Sequence, residues 1–178
     1  RAAAAAITEE LRRLQGQRPR HGERIATIAA EKAAWAAALS SQAGANQPGR
    51  VDPRRALAAL ARARPANAMV ATDIGNVCSV ANSYLEFEEA NSFFAAMAFG
   101  NCGYAYPTAL GAKVGRPERP AIAYVGDGAW GMSLAEVMTA VREKIPVVAV
   151  IFDNGQWGAE KRNQIDYFDS RFLGTELD

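Results

Sequence analysis

Ala121-Ile122-Ala123-Tyr124-Val125-Gly126-Asp127-Gly128 opens the stretch that decides the fold, and Val147-Val148-Ala149-Val150-Ile151-Phe152-Asp153-Asn154 closes it. Each apolar run is short, bounded by turn residues and rich in β-formers, which reads as a buried strand. Each ends on a side chain with an oxygen to offer, Asp127 after the first and Asn154 after the second, 27 positions on. Between them Leu134, Val137, Met138 and Val141 fall at i, i+3, i+4 and i+7, one face of a helix. Ser133 and Glu136 have capping-box spacing, which predicts that this helix starts at Ser133 after a loop over residues 126–131. Strand, glycine turn, helix, strand is a parallel crossover, so the fold class is α/β with a doubly wound parallel sheet. Open sheets of this kind bind ligands at the carboxyl ends of their strands. A carboxylate and an amide carbonyl meeting there suit a hard divalent cation such as Mg²⁺, which completes its shell with phosphate.

Outward from this unit, residues 68–72 read as another buried strand, ended by Asp73-Ile74-Gly75, and residues 93–96 as a short one. Residues 103–114 contain a small-residue helix, Thr108-Ala109-Leu110-Gly111-Ala112, able to pack closely on a sheet. Asp52-Pro53 gives an N-cap with proline at the first helical position, and that helix ends near Arg64-Pro65. Residues 40–51 are a polar loop. A helix is expected over residues 23–39, with Ile25, Ile28, Trp35 and Leu39 on one side, and an Ala-rich one over residues 2–15. Residues 1–22 then read as the tail of a preceding domain with a polar linker at 16–22, and residues 23–178 as the domain proper. Few elements follow Asn154 for such a sheet, so the domain is expected to be incomplete at its C-terminal side and the chain part of a longer polypeptide.

With 178 residues, 49% of them hydrophobic, the chain can bury a real core. A net charge of +1 does not advertise nucleic acid as a partner. No apolar stretch approaches the ~20 residues of a membrane span. Cys78 and Cys102 are too few and too far apart for a zinc site or a disulfide framework, and two free thiols fit a reducing cytoplasm.

Several residues have two readings. Asp127 is either a local cap in an ordinary turn or a metal ligand beneath a diphosphate, with the Gly128 and Ala129 amides turned toward the anion. Asn76 reads as a plain turn residue and Cys102 as a small buried hydrophobe. Lys161 and Arg162 belong to a solvated helix face or bind an anion. Trp157 walls the site or packs in the core. His21 lies in a basic linker and reads as a surface residue.

The Gly126-Asp127-Gly128 start, the spacing, and the Asp153-Asn154 end resemble the diphosphate-binding signature of thiamine-diphosphate enzymes. The family pattern usually ends in Asn-Asn, and Asp153 departs from it. The resemblance implies Mg²⁺ held by the side chains of Asp127 and Asn154 and by the backbone oxygen of Gln156. Residues 100–107, Gly-Asn-Cys-Gly-Tyr-Ala-Tyr-Pro, resemble the segment beside the cofactor's aminopyrimidine ring. That implies a Gly100 carbonyl accepting from the 4′-amino group and Cys102 at the position that wedges the cofactor into its bent form. Asp73-Ile74-Gly75-Asn76 resembles the first strand end, with Asn76 toward the diphosphate.

The run Gly155-Gln156-Trp157-Gly158-Ala159-Glu160-Lys161-Arg162-Asn163, with residues 172–177, is similar to the branch of this family that acts on sulfoacetaldehyde and phosphate. That likeness implies acetyl phosphate and sulfite as products, with Trp157, Lys161 and Arg162 near the substrate. The activating Glu of the family stands in a separate domain contributed across a homodimer interface, and no such domain is visible in this sequence. Two other readings stay open: an acetolactate-synthase-like carboligase, and a non-catalytic cofactor-binding or assembly module.

Overall fold

A computed structural model describes residues 2–15 and 21–177. Most of the expected linker, residues 16–20, lies outside the described residues. The chain divides into two compact units, residues 1–42 and 43–178. The first holds α1 (Ala2–Gln15) and α2 (Gly22–Ser41). Both follow from alanine-rich composition, the strongest helix-forming choice. Ile7, Leu14, Ile25, Ile28 and Trp35 are exposed, and of the side chains expected on one side of α2 only Leu39 is buried. His21, just before α2, is exposed as well. No helix among the described residues is long and apolar enough to cross a membrane.

The second unit contains α3 (Pro53–Ala63), β1 (Met69–Thr72), α4 (Asn76–Tyr84), β2 (Phe93–Ala95), α5 (Ala105–Gly115) and β3 (Ala121–Gly126). It continues through α6 (Asp127–Ser133), α7 (Glu136–Arg142), β4 (Val148–Phe152) and α8 (Gly158–Tyr167). The sheet order is β2-β1-β3-β4, and every pairing is parallel. Side chains alternate between its faces with the period of two that a strand imposes. Met69, Ala71, Ala121, Ala123 and Val125 meet Ala105, Ala109 and Leu110 of α5 on one face. Val70, Ile122 and Tyr124 meet Leu57 of α3 and Ala81 of α4 on the other. Helices therefore cover both faces, as a doubly wound sheet requires. The expected small-residue helix is α5, and its alanines are what let it lie close to β1 and β3.

Helix α3 begins where the sequence places it. Asp52 accepts from the backbone N–H groups of Arg54 and Arg55, which satisfies two donors that the first turn leaves open. These bonds, led by the one from Arg55, hold the Asp52 carboxyl below its ordinary value. A depressed folded-state pKa contributes stability above the unfolded-state value and loses it as the pH falls through the folded one. Asp52→Ala should therefore melt below the parent at neutral pH, with the gap closing on acidification. Thermal unfolding across that range checks this, and a pH-independent gap would count against the cap.

Three local expectations are corrected. Residues 126–131, read as a glycine loop, are helical from Asp127 onward and belong to α6 (Asp127–Ser133). The helix read from Ser133 is instead α7, starting at Glu136. Ser133 caps nothing: its hydroxyl donates back to the Ala129 carbonyl at 3.4 Å inside α6. Of the four residues on that helical spacing, only Val137 packs against the core, and Leu134, Met138 and Val141 are exposed. Helix α4 was not anticipated, although Val77, Val80, Ala81 and Tyr84 have helical spacing and all pack in the second core.

Candidate functional site

Parallel pairing puts the residues that follow β1, β3 and β4 along one edge of the sheet. Gly126 is in register with Phe152, so Asp127 and the turn at 153–155 leave the sheet side by side. The Asp127 carboxylate spans the gap between them. Gly155 N–H donates to its Oδ2 at 2.7 Å and Asn154 N–H at 3.3 Å, while Gly128 N–H donates to Oδ1 at 3.1 Å. Gly155 sits at φ +66°, a left-handed conformation open to glycine without steric cost. The Asp153 side chain accepts from the same Gly155 N–H at 3.1 Å, and Asn154 Oδ1 accepts from Gln156 N–H at 3.3 Å. A carboxylate and an amide oxygen thus stand at adjoining strand ends, anchored to one another through the main chain.

Helix α8 brings in the next two partners. A β-carbon built on Gly158 would lie 2.9 Å from Asn154 Nδ2 and 3.2 Å from Asn76 Nδ2. Two amide NH₂ groups, one from the start of α4 and one from the end of β4, therefore converge over Gly158. Paired neutral donors of this kind suit the oxygens of an anion. Trp157 packs against Gly128 so closely that a β-carbon there would fall 2.7–2.9 Å from three ring carbons. Its ring lies against Gly128, in the first turn of α6.

The segment at 100–104 lies against α6. Gly100 and Gly103 have φ of +78° and +77°. A β-carbon on Gly103 would stand 3.2 Å from the β-carbon of Met132 in α6. Partial burial, then the charges of Asp73 and Glu160, push the Cys102 thiol up, so it stays protonated at neutral pH and behaves as a small apolar group. Met132, Trp157, Glu160, Gln164, Leu173, Gly174 and Thr175 line an open cleft of about 400 Å³ beside the turn. Gln156 makes a strand-like contact with Glu176, and Trp157 N–H donates to the Thr175 carbonyl at 2.8 Å.

Asn76, Asp127, Gly128, Asn154 and Trp157 are thus brought together, with Ala129 buried one residue beyond Gly128. Lys161 and Arg162 are committed elsewhere. Lys161 pairs with Glu176 at 2.5 Å and lies over the Phe172 ring, and Arg162 pairs with Asp166 at 2.8 Å. An anion would have to compete with those carboxylates. The cleft residues Glu160, Gln164 and Thr175 escaped the sequence reading. Asp73 did too, because its partners are main-chain groups more than thirty positions away.

No cluster of three or more His, Cys, Asp or Glu side chains exists among the described residues. Magnesium does not require one, since it binds through one or two carboxylates and takes phosphate and water for the rest. Asp127, Asn154 and the Gln156 carbonyl fit that donor chemistry, and the paired amides over Gly158 fit a phosphate beside it.

Residues 73–178 match the family model described as "Thiamine pyrophosphate enzyme, C-terminal TPP binding domain". The chain is similar to the sulfoacetaldehyde acetyltransferase of Alcaligenes xylosoxydans xylosoxydans, 54% identical over 87% of this chain and 29% of the relative. It is 50% identical to that of Castellaniella defragrans over 99% of this chain and 32% of the relative. Among solved structures, the Rhodococcus jostii RHA1 thiamine diphosphate-dependent 4-hydroxybenzoylformate decarboxylase superposes with a TM-score of 0.67 at 25% identity. That match covers 71% of this chain and 24% of the other. The chain spans about a third of the length of the curated relatives it matches.

Proposed function

Because the chain belongs to the thiamine pyrophosphate enzymes, as their C-terminal cofactor-binding domain, we propose that it is that domain of an acetyltransferase converting sulfoacetaldehyde and phosphate to acetyl phosphate and sulfite. The single observation that carries the cofactor half of this reading is the Asp127 carboxylate joined to the Asn154–Gly155 turn at 2.7 Å. The substrate half is supported by identities of 50% and 54% to relatives named for that activity.

In this reading Mg²⁺ is held by Asp127, Asn154 and the Gln156 carbonyl. Asn76 and the Gly128 and Ala129 amides contact the diphosphate. Gly100 and Cys102 lie beside the aminopyrimidine ring. Thiamine diphosphate, when bound, supplies a carbon nucleophile and an electron sink. The chain's own residues bind and orient. Asp127 offsets the charge of the metal, and the Asn76 and Asn154 amides donate toward anionic oxygens. Trp157 shields the turn from water, which strengthens the electrostatic contacts beneath it. Cys102, kept neutral, offers shape without a competing thiolate. This reading takes Trp157, Lys161 and Arg162 to lie near the substrate, where an anion would compete with Glu176 and Asp166 for the two cations. The activating Glu is assigned to another domain of the full-length chain across a homodimer interface, with residues 1–22 as the tail of the domain before this one. Two free cysteines, Cys78 and Cys102, are compatible with a reducing cytoplasm.

The test uses the full-length protein with thiamine diphosphate, Mg²⁺ and sulfoacetaldehyde. Sulfite should appear only when phosphate is present, matched mole for mole by acetyl phosphate. Consumption of pyruvate with no sulfite from sulfoacetaldehyde would move the assignment to a carboligase.

A further inference from the structure

Asp73 is a carboxylate with no exposure to solvent, at the end of the strand beside β3. Its backbone N–H donates to the Tyr124 carbonyl at 3.0 Å, which fixes its main chain to the sheet. Its side chain does not answer to the sheet at all. Tyr104 N–H donates to Oδ1 at 3.2 Å and Ala105 N–H donates to Oδ2 at 2.9 Å, from 31 and 32 positions further along the chain. Those are the last residue before α5 and its first residue, where open N–H groups and the helix dipole favour a negative charge. Hydrogen bonds to an ionised acceptor are the strong ones, and in a sealed site they meet no competition from water.

The same segment is gripped from two more sides. A β-carbon on Gly103 would lie a tight 3.2 Å from that of Met132, and one on Gly100 would stand 4.0 Å from Ile74, the residue next to Asp73. Asp73 and Asp127 thus play parallel parts on adjacent strands. Each ties a strand end to a main-chain turn far away in sequence. Asp127 is partly exposed and can share its oxygens with a metal, whereas Asp73 is sealed and can only hold the segment.

We propose that Asp73 is a positioning residue that sets the Gly100–Tyr104 segment at the distance from the Asp127–Asn154 edge that thiamine diphosphate spans. This rests on the reading that the segment lies beside the aminopyrimidine ring. The two ends of the cofactor then depend on different residues. The diphosphate end depends on Asp127 and Asn154, and the ring end depends on Asp73 through the segment.

Inorganic pyrophosphate with Mg²⁺ probes the first end alone, and thiamine diphosphate with Mg²⁺ probes both. Calorimetric titration of the full-length protein carrying Asp73→Asn should show thiamine diphosphate weakened at least about ten-fold, the scale of losing a supporting partner. Pyrophosphate affinity should stay within about two-fold of the parent. Gly103→Ala perturbs the segment from its other side and leaves the buried carboxylate alone, so it should give the same split even where Asp73→Asn folds poorly. Equal losses for both ligands, or no loss for either, in a variant that folds would overturn the proposal. A parent protein that binds pyrophosphate and not thiamine diphosphate would instead remove the cofactor reading on which it stands.

Discussion

Full-length protein carrying Asp127→Asn is expected to lose its Mg²⁺-dependent affinity for thiamine diphosphate by about 100-fold or more, and with it the sulfite release proposed above. Outer-sphere partners of a metal site already cost about 10–100-fold when removed, and Asp127 is assigned to the inner sphere. The substitution keeps the volume and removes the charge. It also replaces one acceptor oxygen with an NH₂ group, which would then face either the Gly128 N–H that now donates to Oδ1 or the N–H groups of Asn154 and Gly155 that now donate to Oδ2. A second effect follows without any ligand. The bond from Gly155 at 2.7 Å holds the turn after β4 against the end of β3. Bonds to a charged acceptor contribute about 1.5–3 kcal/mol, so the metal-free protein should also melt lower. The two readouts separate the two roles that the sequence left open. A lower melting temperature with unchanged cofactor affinity would make Asp127 a cap and nothing more.

That both roles were readable from Asp127 has a physical cause. Residues 121–125 and 147–152 are apolar runs bounded by turn residues, and a parallel sheet must place their ends on one edge. A carboxylate and an amide at those ends are then neighbours whatever the intervening helix does. What the intervening segment does was much less legible. Gly126, Gly128 and Gly131 suggest a loop by propensity, yet residues 127–133 are helical. Tertiary contacts decide it: Trp130 of α6 meets Tyr106 of α5 edge-on at 5.0 Å, and Gly103 accepts Met132 at close range. Once the chain is helical at Ser133, its hydroxyl turns back to Ala129, and the capping-box spacing has no helix start to serve. Propensity is a weak prior against contacts of that kind.

The opposite failure occurred at Asp73 and in the cleft. Asp73-Ile74-Gly75 reads as a turn after a strand, and nothing nearby in sequence shows that its carboxylate is sealed beneath the start of α5. Its partners are main-chain N–H groups, which every residue but proline carries and which leave no mark in a sequence. Glu160, Gln164 and Thr175 meet only because the 173–177 segment folds back along Gln156. Paired side chains at strand ends can be found by pattern, whereas main-chain partners and returning segments need the fold.

Gly158→Ala carries the other large effect, and its sign differs between the free and the loaded protein. Gly158 opens α8, and its φ is not among the left-handed values. An alanine there should suit the backbone, and restricting the unfolded chain in this way stabilises by about 0.4–1 kcal/mol where the site tolerates it. The added β-carbon, however, would lie 2.9 Å from Asn154 Nδ2 and 3.2 Å from Asn76 Nδ2. Neither contact is with rigid backbone, so both amides can swing aside at little cost to folding. They cannot do so and still converge on an anion, and moving the Asn154 amide also moves the oxygen assigned to Mg²⁺. The expected result is a cofactor-free melting temperature equal to or above the parent's, together with thiamine diphosphate affinity lower by at least about ten-fold. Inorganic pyrophosphate should weaken in step, because the loss falls at the diphosphate end. That shared loss distinguishes Gly158→Ala from Asp73→Asn, whose effect is confined to the ring end. Equal affinity for pyrophosphate in Gly158→Ala and parent would mean that the convergence of Asn76 and Asn154 over this glycine is packing, and that the diphosphate is held without them.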